Sequence, residues 1–328
     1  MKNSSKQAAL VQDRANELRA ELARKIAQSV GLAQRLITDI PGLALYRYTA
    51  PTAPVSLTYE PSIAIVAQGR KRVELGTTTF IYDASRFLLT SVDLPVISCV
   101  MEASEQLPYY CLRLNLEMSM VGELLSRGDI PPAETPVNGL GMATGETTPE
   151  ILAACCRLTD LLNTPQDIPF LSDSIQREIV YRILRSAQGR RLRAIAQLGD
   201  QSQRTAKAIA WIRDNYSKPL RVEELAHATG MGVSTLHTHF RELTSMSPLQ
   251  YQKQLRLHAA RLRMLTDGMD AATAAFEVGY GSATQFNREY SRFFGQPPKR
   301  DVRTLQSPNT RALESAGDGS APATLGTR

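Results

Sequence analysis

Aromatic residues are scarce, 6% of 328 with a single Trp, and the chain has only four cysteines and four histidines. Each scarcity excludes something. Cys99, Cys111, Cys155 and Cys156 stand at spacings that match no zinc or redox motif. A chain this long needs no covalent staples, so reduced thiols in a cytoplasmic setting are expected. The four histidines are His227, His237, His239 and His258, and residues 1–226 contain none. An enzyme built around a His-ligated metal in the N-terminal part therefore has no ligands there. His237 and His239, two apart on a helix, point in diverging directions. No glycine-rich phosphate loop or nucleophile elbow is present. No apolar run approaches the roughly 18–20 residues of a membrane span. The first 25 residues carry charge throughout, so no secretory signal and no membrane partner are expected. Catalysis is not expected, and no cofactor is implied.

What the chain does have is an uneven charge. The net +6 comes from 38 Lys+Arg against 32 Asp+Glu. Residues 1–203 balance, as do residues 306–328, whereas residues 204–305 carry 15 basic and 9 acidic side chains. A basic module joined to a neutral one reads as a polyanion-binding unit attached to a part with another task.

Periodicity divides the chain further. Residues 8–38 read as helix, with Leu18, Leu22, Ile26 and Val30 repeating every four positions, and Pro41-Gly42 is read as its end. From Ala44 to Leu116 short apolar runs alternate with turn signals, which favours a sandwich or barrel. In the last of these strands Leu112, Leu114 and Leu116 share one face, and Cys111, Arg113 and Asn115 the other. Helix returns at Pro149–Leu162 and Asp173–Ser186, with residues 138–148 read as a loop between. The tail from 306 is low in large apolar residues, so disorder is expected. The expected organisation is an N-terminal helix (1–40), a neutral domain with connecting helices (41–200), a basic helical domain (201–305) and the tail (306–328).

The most specific signal is an internal repeat. A short helix at Val222–Ala228, a turn at Thr229-Gly230-Met231 and a second helix near Val233–Leu243 recur about fifty residues later. Leu236 matches Phe286, Phe240 matches Tyr290 and Pro248 matches Pro298 at an offset of 50, whereas Gly230 matches Gly279 at 49. A duplicated helix-turn-helix is far more telling than one copy. At 100° per residue, Leu236, Phe240 and Leu243 form an inward stripe, and Phe286, Tyr290 and Phe293 form its counterpart. The opposite faces carry Ser234, His237, Thr238 and Arg241 in one copy. In the other they carry Thr284, Asn287, Arg288 and Ser291, with Gln285 at the edge. Such hydrogen-bonding side chains on a reading helix suit the major groove. Ser234, His237, Thr238, Arg241, Thr284, Gln285, Asn287 and Arg288 are thus expected to read bases, and Lys253, Ser291 and Arg292 to contact phosphate. Between the copies, Pro248–Leu265 reads as a helix with one apolar stripe, Tyr251, Leu255, Ala259, Leu262 and Leu265. Arg256, Arg261 and Arg263 lie mostly off that stripe.

With those residues in place, the chain resembles the AraC/XylS family of transcription regulators over about Ala206–Pro298. The resemblance rests on Leu220-x-x-Glu223-Glu-Leu-Ala226, Gly279-Tyr280, Phe286-Asn-Arg288 and Phe294-Gly295-x-x-Pro298. Family members often carry an aromatic residue three positions after that proline; this chain has Asp301. The N-terminal part resembles one branch of the family through Pro61, Val66–Arg72, Gly76, Tyr82-Asp83, Ser91–Pro95 and Pro108-Tyr109. The resemblance implies an α+β chain: a cupin-like regulatory barrel with flanking helices, then an all-α domain with two helix-turn-helix motifs joined by a long helix. It implies promoter DNA and RNA polymerase as partners, a small-molecule effector, activator function and a possible homodimer. Some regulators with similar N-termini control alcohol and aldehyde metabolism genes. Within the barrel Cys99, Tyr109, Cys111 and Arg113 are candidates for effector or thiol sensing, weighed against a structural cysteine in a barrel wall. Arg70-Lys71-Arg72 reads as a hairpin surface that could also receive an anionic effector. The alternatives are a cupin-type enzyme fused to a DNA-binding module and a nonspecific architectural nucleic-acid-binding protein.

Overall fold

A computed structural model describes residues 2–130, 139–196 and 201–306. The expected tail lies, beyond Gln306, outside the described residues. Helix α1 (Lys2–Val30) opens the chain and stops at Gly31, which takes a left-handed φ of +58°. The helical reading of residues 31–38 is thereby corrected: Arg35–Ile37 is instead an edge strand, β1. It is followed by β2 (Leu43–Tyr48), β3 (Val55–Tyr59), β4 (Ser62–Gln68), β5 (Arg70–Leu75), β6 (Thr78–Asp83), β7 (Arg86–Thr90), β8 (Leu94–Glu102) and β9 (Tyr109–Asn115). Then come α2 (Met118–Ser126), β10 (Met142–Glu146), α3 (Pro149–Asp160), α4 (Ile168–Arg185) and α5 (Gly189–Ala196). Strand β10 occupies part of the expected 138–148 loop and pairs antiparallel with β7. Pairing satisfies the backbone there, which side-chain composition alone does not reveal.

The strands form two antiparallel sheets, one in the order β1-β2-β9-β4-β7-β10 and one in the order β3-β8-β5-β6. Alternation divides their side chains as the pleat requires. Leu43, Leu45, Ile63, Ile65, Phe87, Leu89, Leu112 and Leu114 face outward from the six-stranded sheet and are covered by α1, α3 and α4. The four-residue repeat of α1 meets this face, with Leu22 and Ile26 fully buried. Cys155 and Cys156 are both buried on α3. Two adjacent residues on a helix would ordinarily send one side chain to the core and one to the surface, but α1 lies over the second side, and the Cys156 Sγ sits 3.7 Å from the Leu18 carbonyl oxygen. The opposite face lines the space between the sheets with Tyr46, Tyr48, Val66, Leu88, Tyr109 and Cys111. The smaller sheet contributes Tyr59, Val73, Leu75, Tyr82, Leu94 and Val96.

The basic region is helical throughout: α6 (Gln201–Asp214), α7 (Val222–Ala228), α8 (Val233–Thr244), α9 (Pro248–Thr266), α10 (Ala271–Glu277), α11 (Ala283–Phe294) and α12 (Pro298–Gln306). The repeat extends to the caps. Helix α8 ends on Ser245 at φ +61° and α11 on Gly295 at φ +78°, again fifty positions apart. Helix α9 does not carry the single stripe expected of it. Tyr251 and Leu255 enter the core shared with the first module, whereas Leu257, Ala260 and Met264 enter the core of the second. At 100° per residue these sets lie on opposite sides of the helix. A helix wedged between two modules buries both faces, which is why Ala259, Leu262 and Leu265 are only half-buried.

The barrel and the first module share one hydrophobic core. Polar contacts reinforce the junction. The Tyr251 hydroxyl donates to the Asp93 carbonyl oxygen at 2.9 Å, and the Gly141 N–H donates to the Leu243 carbonyl at 2.8 Å. Arg213 bridges the buried Asp93 carboxylate at 2.9 Å. Burial pushes that carboxyl up, against the pull of Arg213. On the far side, His258 of α9 meets the Ser56 hydroxyl of β3 at 3.3 Å and stands edge-on to Phe293 and Phe294. Burial, with Arg261 nearby, lowers His258 to about 3.

This has a pH consequence. The unfolded chain protonates His258 below about pH 6.5, whereas the folded chain does not until far lower. Stability is therefore lost as pH falls from 6.5 toward 3. Between pH 7 and pH 5 the expected contribution is about 1–2 kcal/mol. Urea unfolding at both pH values should show a smaller loss for His258→Phe than for the wild type; equal losses would mean that the imidazole titrates normally.

Candidate nucleic-acid interface

Each reading helix is oriented by its buried side. Leu236, Phe240 and Leu243 on α8, and Phe286 and Tyr290 on α11, are all at most 1% exposed. The opposite sides open to solvent as their spacing requires. Ser234, Thr238 and Arg241 are exposed and His237 is half-buried; Thr284, Gln285, Asn287 and Arg288 are all exposed. Helix starts are firmer in the second copy. Ser282 caps α11 through the Gln285 N–H, and Asp270 caps α10 through the Ala272 and Thr273 N–H groups. Helix α8 begins at Gly232 with no side-chain cap.

The phosphate candidates differ in their surroundings. Arg292 is exposed and Ser291 half-buried, its hydroxyl donating to the Asn287 carbonyl. The Lys253 ammonium, on α9, pairs with Glu289 at 3.0 Å. Glu289 also accepts from the Tyr280 hydroxyl at 2.9 Å and from the Gln285 amide at 3.3 Å. These bonds outweigh its burial and hold its carboxyl below the usual range. Glu289 thus orients Lys253 and Gln285, whose remaining donors stay open to solvent. A cleft of about 300 Å³ between α9 and α11 is lined by Lys253, Gln254, Glu289 and Arg292 and reaches Ser245, which ends the first reading helix.

The spacing of the modules rests on residues that periodicity placed off the apolar stripe. Arg256 donates to the carbonyls of Tyr216, Ser217, Lys218 and Gly279, and burial lowers its guanidinium. It ties the end of the first module's α6 to the turn of the second. Arg261 forms a bidentate pair with Asp301 at 2.8 and 3.0 Å. Asp301 also accepts from the Tyr290 hydroxyl at 2.6 Å. The departure at position 301 is therefore a buried anchor of the second module. The 19 residues of α9 span about 28 Å, which with packed ends suits two grooves one DNA turn, roughly 34 Å, apart.

The sensing candidates separate. Tyr109, Cys111 and Arg113 share the inward face of β9, as alternation requires. Cys99 stands out of phase with inward-facing Ser98 and Val100, opposite Arg72 in register, and does not join them. Burial pushes the Cys111 thiol up, with Lys71 and Arg113 opposing, which works against the thiolate that electrophile sensing needs. Lys71 is an interior residue that the hairpin-surface reading misses. It shares a face with buried Val73 and Leu75, so it points between the sheets, while Arg70 pairs with Glu102 and Arg72 with Glu74. The signal is present in the alternation Lys71-x-Val73-x-Leu75, but three adjacent cations mask it.

A two-sheet barrel docked on paired helix-turn-helix modules, with both polar reading faces open, defines a DNA-binding transcriptional regulator. Residues 39–191 match the family described as AraC-type transcriptional regulator N-terminus, and residues 225–304 match a helix-turn-helix domain family. The chain belongs to the AraC/XylS family of transcriptional regulators, with an N-terminal regulatory domain. It is 26% identical over 233 residues to the HTH-type transcriptional activator RhaS of Yersinia pestis bv. Antiqua (strain Angola), covering 70% of this chain and 78% of that protein. Its fold is similar to an apo ToxT variant from Vibrio cholerae strain SCE256, with TM-score 0.54 and 9% identity, over 82% of this chain and 100% of that one. It is also similar to ToxT from Vibrio cholerae O395 bound to (E)-4-(8-methylnaphthalen-1-yl)but-3-enoic acid, with TM-score 0.54 and 11% identity, over 80% and 98% of the two chains. Nothing in these relatives or in the site's chemistry points to alcohol or aldehyde metabolism. Among the described residues no helix is long and apolar enough to cross a membrane.

Proposed function

We propose that this protein is a sequence-specific transcriptional activator, not an enzyme, whose N-terminal domain binds a small molecule and adjusts promoter recognition. The observation that carries the reading is the pair of exposed polar faces on α8 and α11, each backed by a fully buried aromatic. One chain would place α8 and α11 in successive major grooves. The activator role, with RNA polymerase as partner, follows RhaS, an activator by name. An acid effector has a precedent in the ToxT complex with a butenoic acid. A route for the response is the β5–β6 turn. A Cβ at Gly76 would lie 2.6 Å from the Ser245 Cβ, so the barrel touches the residue that ends the first reading helix. A ligand shifts that contact only by binding its two arrangements differently. A homodimer is compatible with this reading.

The test is fluorescence-anisotropy titration of the duplex upstream of the protein's own gene against a scrambled duplex, over a salt series. A preference of about 10³-fold or more is expected. Arg288→Ala should lower discrimination at one base position by about 1–3 kcal/mol. Uniform weakening across all sequences would make Arg288 a phosphate contact and defeat its reading role. Equal binding of both duplexes by the wild type would favour the architectural alternative.

A further inference from the structure

The space between the two sheets holds a cation without a counter-ion. Lys71 points inward from β5. Tyr48, Tyr59, Tyr82 and Cys111 lie close enough to act on its charge. Its ammonium stands 5.6 Å from the Tyr59 ring centroid. No Asp or Glu among the described residues pairs with it, although every other cation of its cluster has one: Arg70 meets Asp83 and Glu102, and Arg72 meets Glu74. A second inward cation, Arg113, has a buried Nε with no hydrogen-bond partner. The Tyr46 and Tyr109 hydroxyls are likewise buried without a hydrogen bond of ordinary geometry, although Tyr82 and Cys111 lie close to Tyr109. These two tyrosine side chains are 6% and 1% exposed. Buried polar groups are normally satisfied, and an unpaired buried charge is strongly disfavoured. Three such buried groups, beside the inward ammonium of Lys71, form an incomplete constellation facing one interior.

Its chemistry is one-sided. Burial pushes the Tyr48 phenol up to about 12, and Tyr82 and Tyr109 are raised by burial as well, so the phenols remain O–H donors at neutral pH. Ammonium, guanidinium and phenol groups all donate to an anion. The walls between them are apolar, with Val66, Val73 and Val96 buried. Lys71 itself is only half-buried while Val73 and Leu75 on the same face are fully buried, so solvent reaches the interior at this end of the strand. We propose that the interior of the barrel is a binding site for a small organic carboxylate, its charge held by Lys71 with Arg113 and its oxygens by the Tyr46 and Tyr109 hydroxyls. Strand β5 carries Lys71 near one end and leads at the other to Gly76, the turn that rests on Ser245. Occupancy of the site is thereby linked to the end of the first reading helix. The site deepens the sensory reading of the N-terminal domain and rests on it only for its role in regulation.

The experiment uses the full chain without DNA. Calorimetric titration and thermal melting are run with butanoate and cyclohexanecarboxylate, and with butanamide and cyclohexanecarboxamide as neutral counterparts of the same shape. The carboxylates should bind and raise Tm, and the amides should do neither. Lys71→Met keeps the length of the side chain and removes the charge. It should lower carboxylate affinity roughly 30-fold or more, and without ligand it should melt at or above the wild-type temperature, because it removes an unpaired interior charge. A Lys71→Met protein that melts lower without ligand would show a structural role for the ammonium and overturn the proposal. So would amides that bind as well as carboxylates, or a wild type to which neither carboxylate binds at millimolar concentration. A carboxylate that binds through Lys71 yet leaves DNA affinity unchanged would uphold the site and defeat the sensory reading instead.

Discussion

Asp301→Ala is expected to lower the stability of the second helix-turn-helix module by about 3–5 kcal/mol, the cost of leaving a buried charge without its partner. The carboxylate accepts from Nε and Nη2 on one edge of the Arg261 guanidinium and from the Tyr290 hydroxyl. Arg261 also lies over the Phe294 ring, 4.3 Å from its centroid. One side chain thus joins α9, α11 and α12. Removing it leaves a half-satisfied network in a small core, and such networks are worse than apolar ones. The chain has a built-in reporter, since its single Trp, Trp211, lies on α6 of the first module. In urea, the helical circular dichroism of Asp301→Ala should fall in an early step that the Trp211 fluorescence does not follow. DNA affinity should drop toward that of one reading helix. Asp301→Asn, which preserves volume and still accepts from Tyr290, should lose less. Coincident transitions with a loss below about 1 kcal/mol would mean that the pair is replaceable by water.

The second large effect separates two glycines that the repeat makes equivalent. Gly230 and Gly279 both hold left-handed φ values, +65° and +92°. A Cβ at Gly230 would come no nearer than 4.0 Å to any atom, that one being the end of the Arg204 guanidinium. Gly230→Ala should therefore cost only its backbone strain, about 1 kcal/mol. A Cβ at Gly279 would lie 2.0 Å from the Ser217 carbonyl oxygen and 2.8 Å from its carbon. Neither the α6–α7 connection nor the second turn can yield without disturbing the four carbonyls gathered by Arg256. Adding overlap to strain, Gly279→Ala should cost about 3 kcal/mol or more. It should also displace the second reading helix relative to the first, so that binding to a two-groove site weakens more than binding to one half-site. Denaturant titrations and half-site anisotropy of the two variants, side by side, check this. Equal losses at both glycines would show that the close approach at Ser217 relaxes freely.

The difference between those glycines marks where sequence reading stops. The duplication, its register of fifty and the inward and outward sides of α8 and α11 follow from local periodicity. A helix or strand that buries one face must repeat its apolar residues at its own period. For the same reason the strand-rich N-terminal region, the shared face of Cys111 and Arg113, and the charge asymmetry of residues 204–305 are legible in the chain itself. Elements that answer to two partners are not. Helix α9 is apolar on opposite sides because two modules grip it, which a single-stripe reading mistakes for one core with stray arginines. Arg256 and Arg261 have no local mark that separates them from Arg263, which pairs with Glu277 nearer the surface; their own partners lie 23 to 40 positions away. Asp301 looks like a departure from a family pattern and is the counter-ion of one of them. Residues 35–37 and 142–146 become strands only because β2 and β7 offer them edges. Lys71 looks like one of three surface cations until the register of β5 turns it inward. Periodicity records which face of an element is buried; only the folded chain decides against what, and hence which charges are paired, which turns tolerate a side chain and which interior groups are left waiting for a ligand.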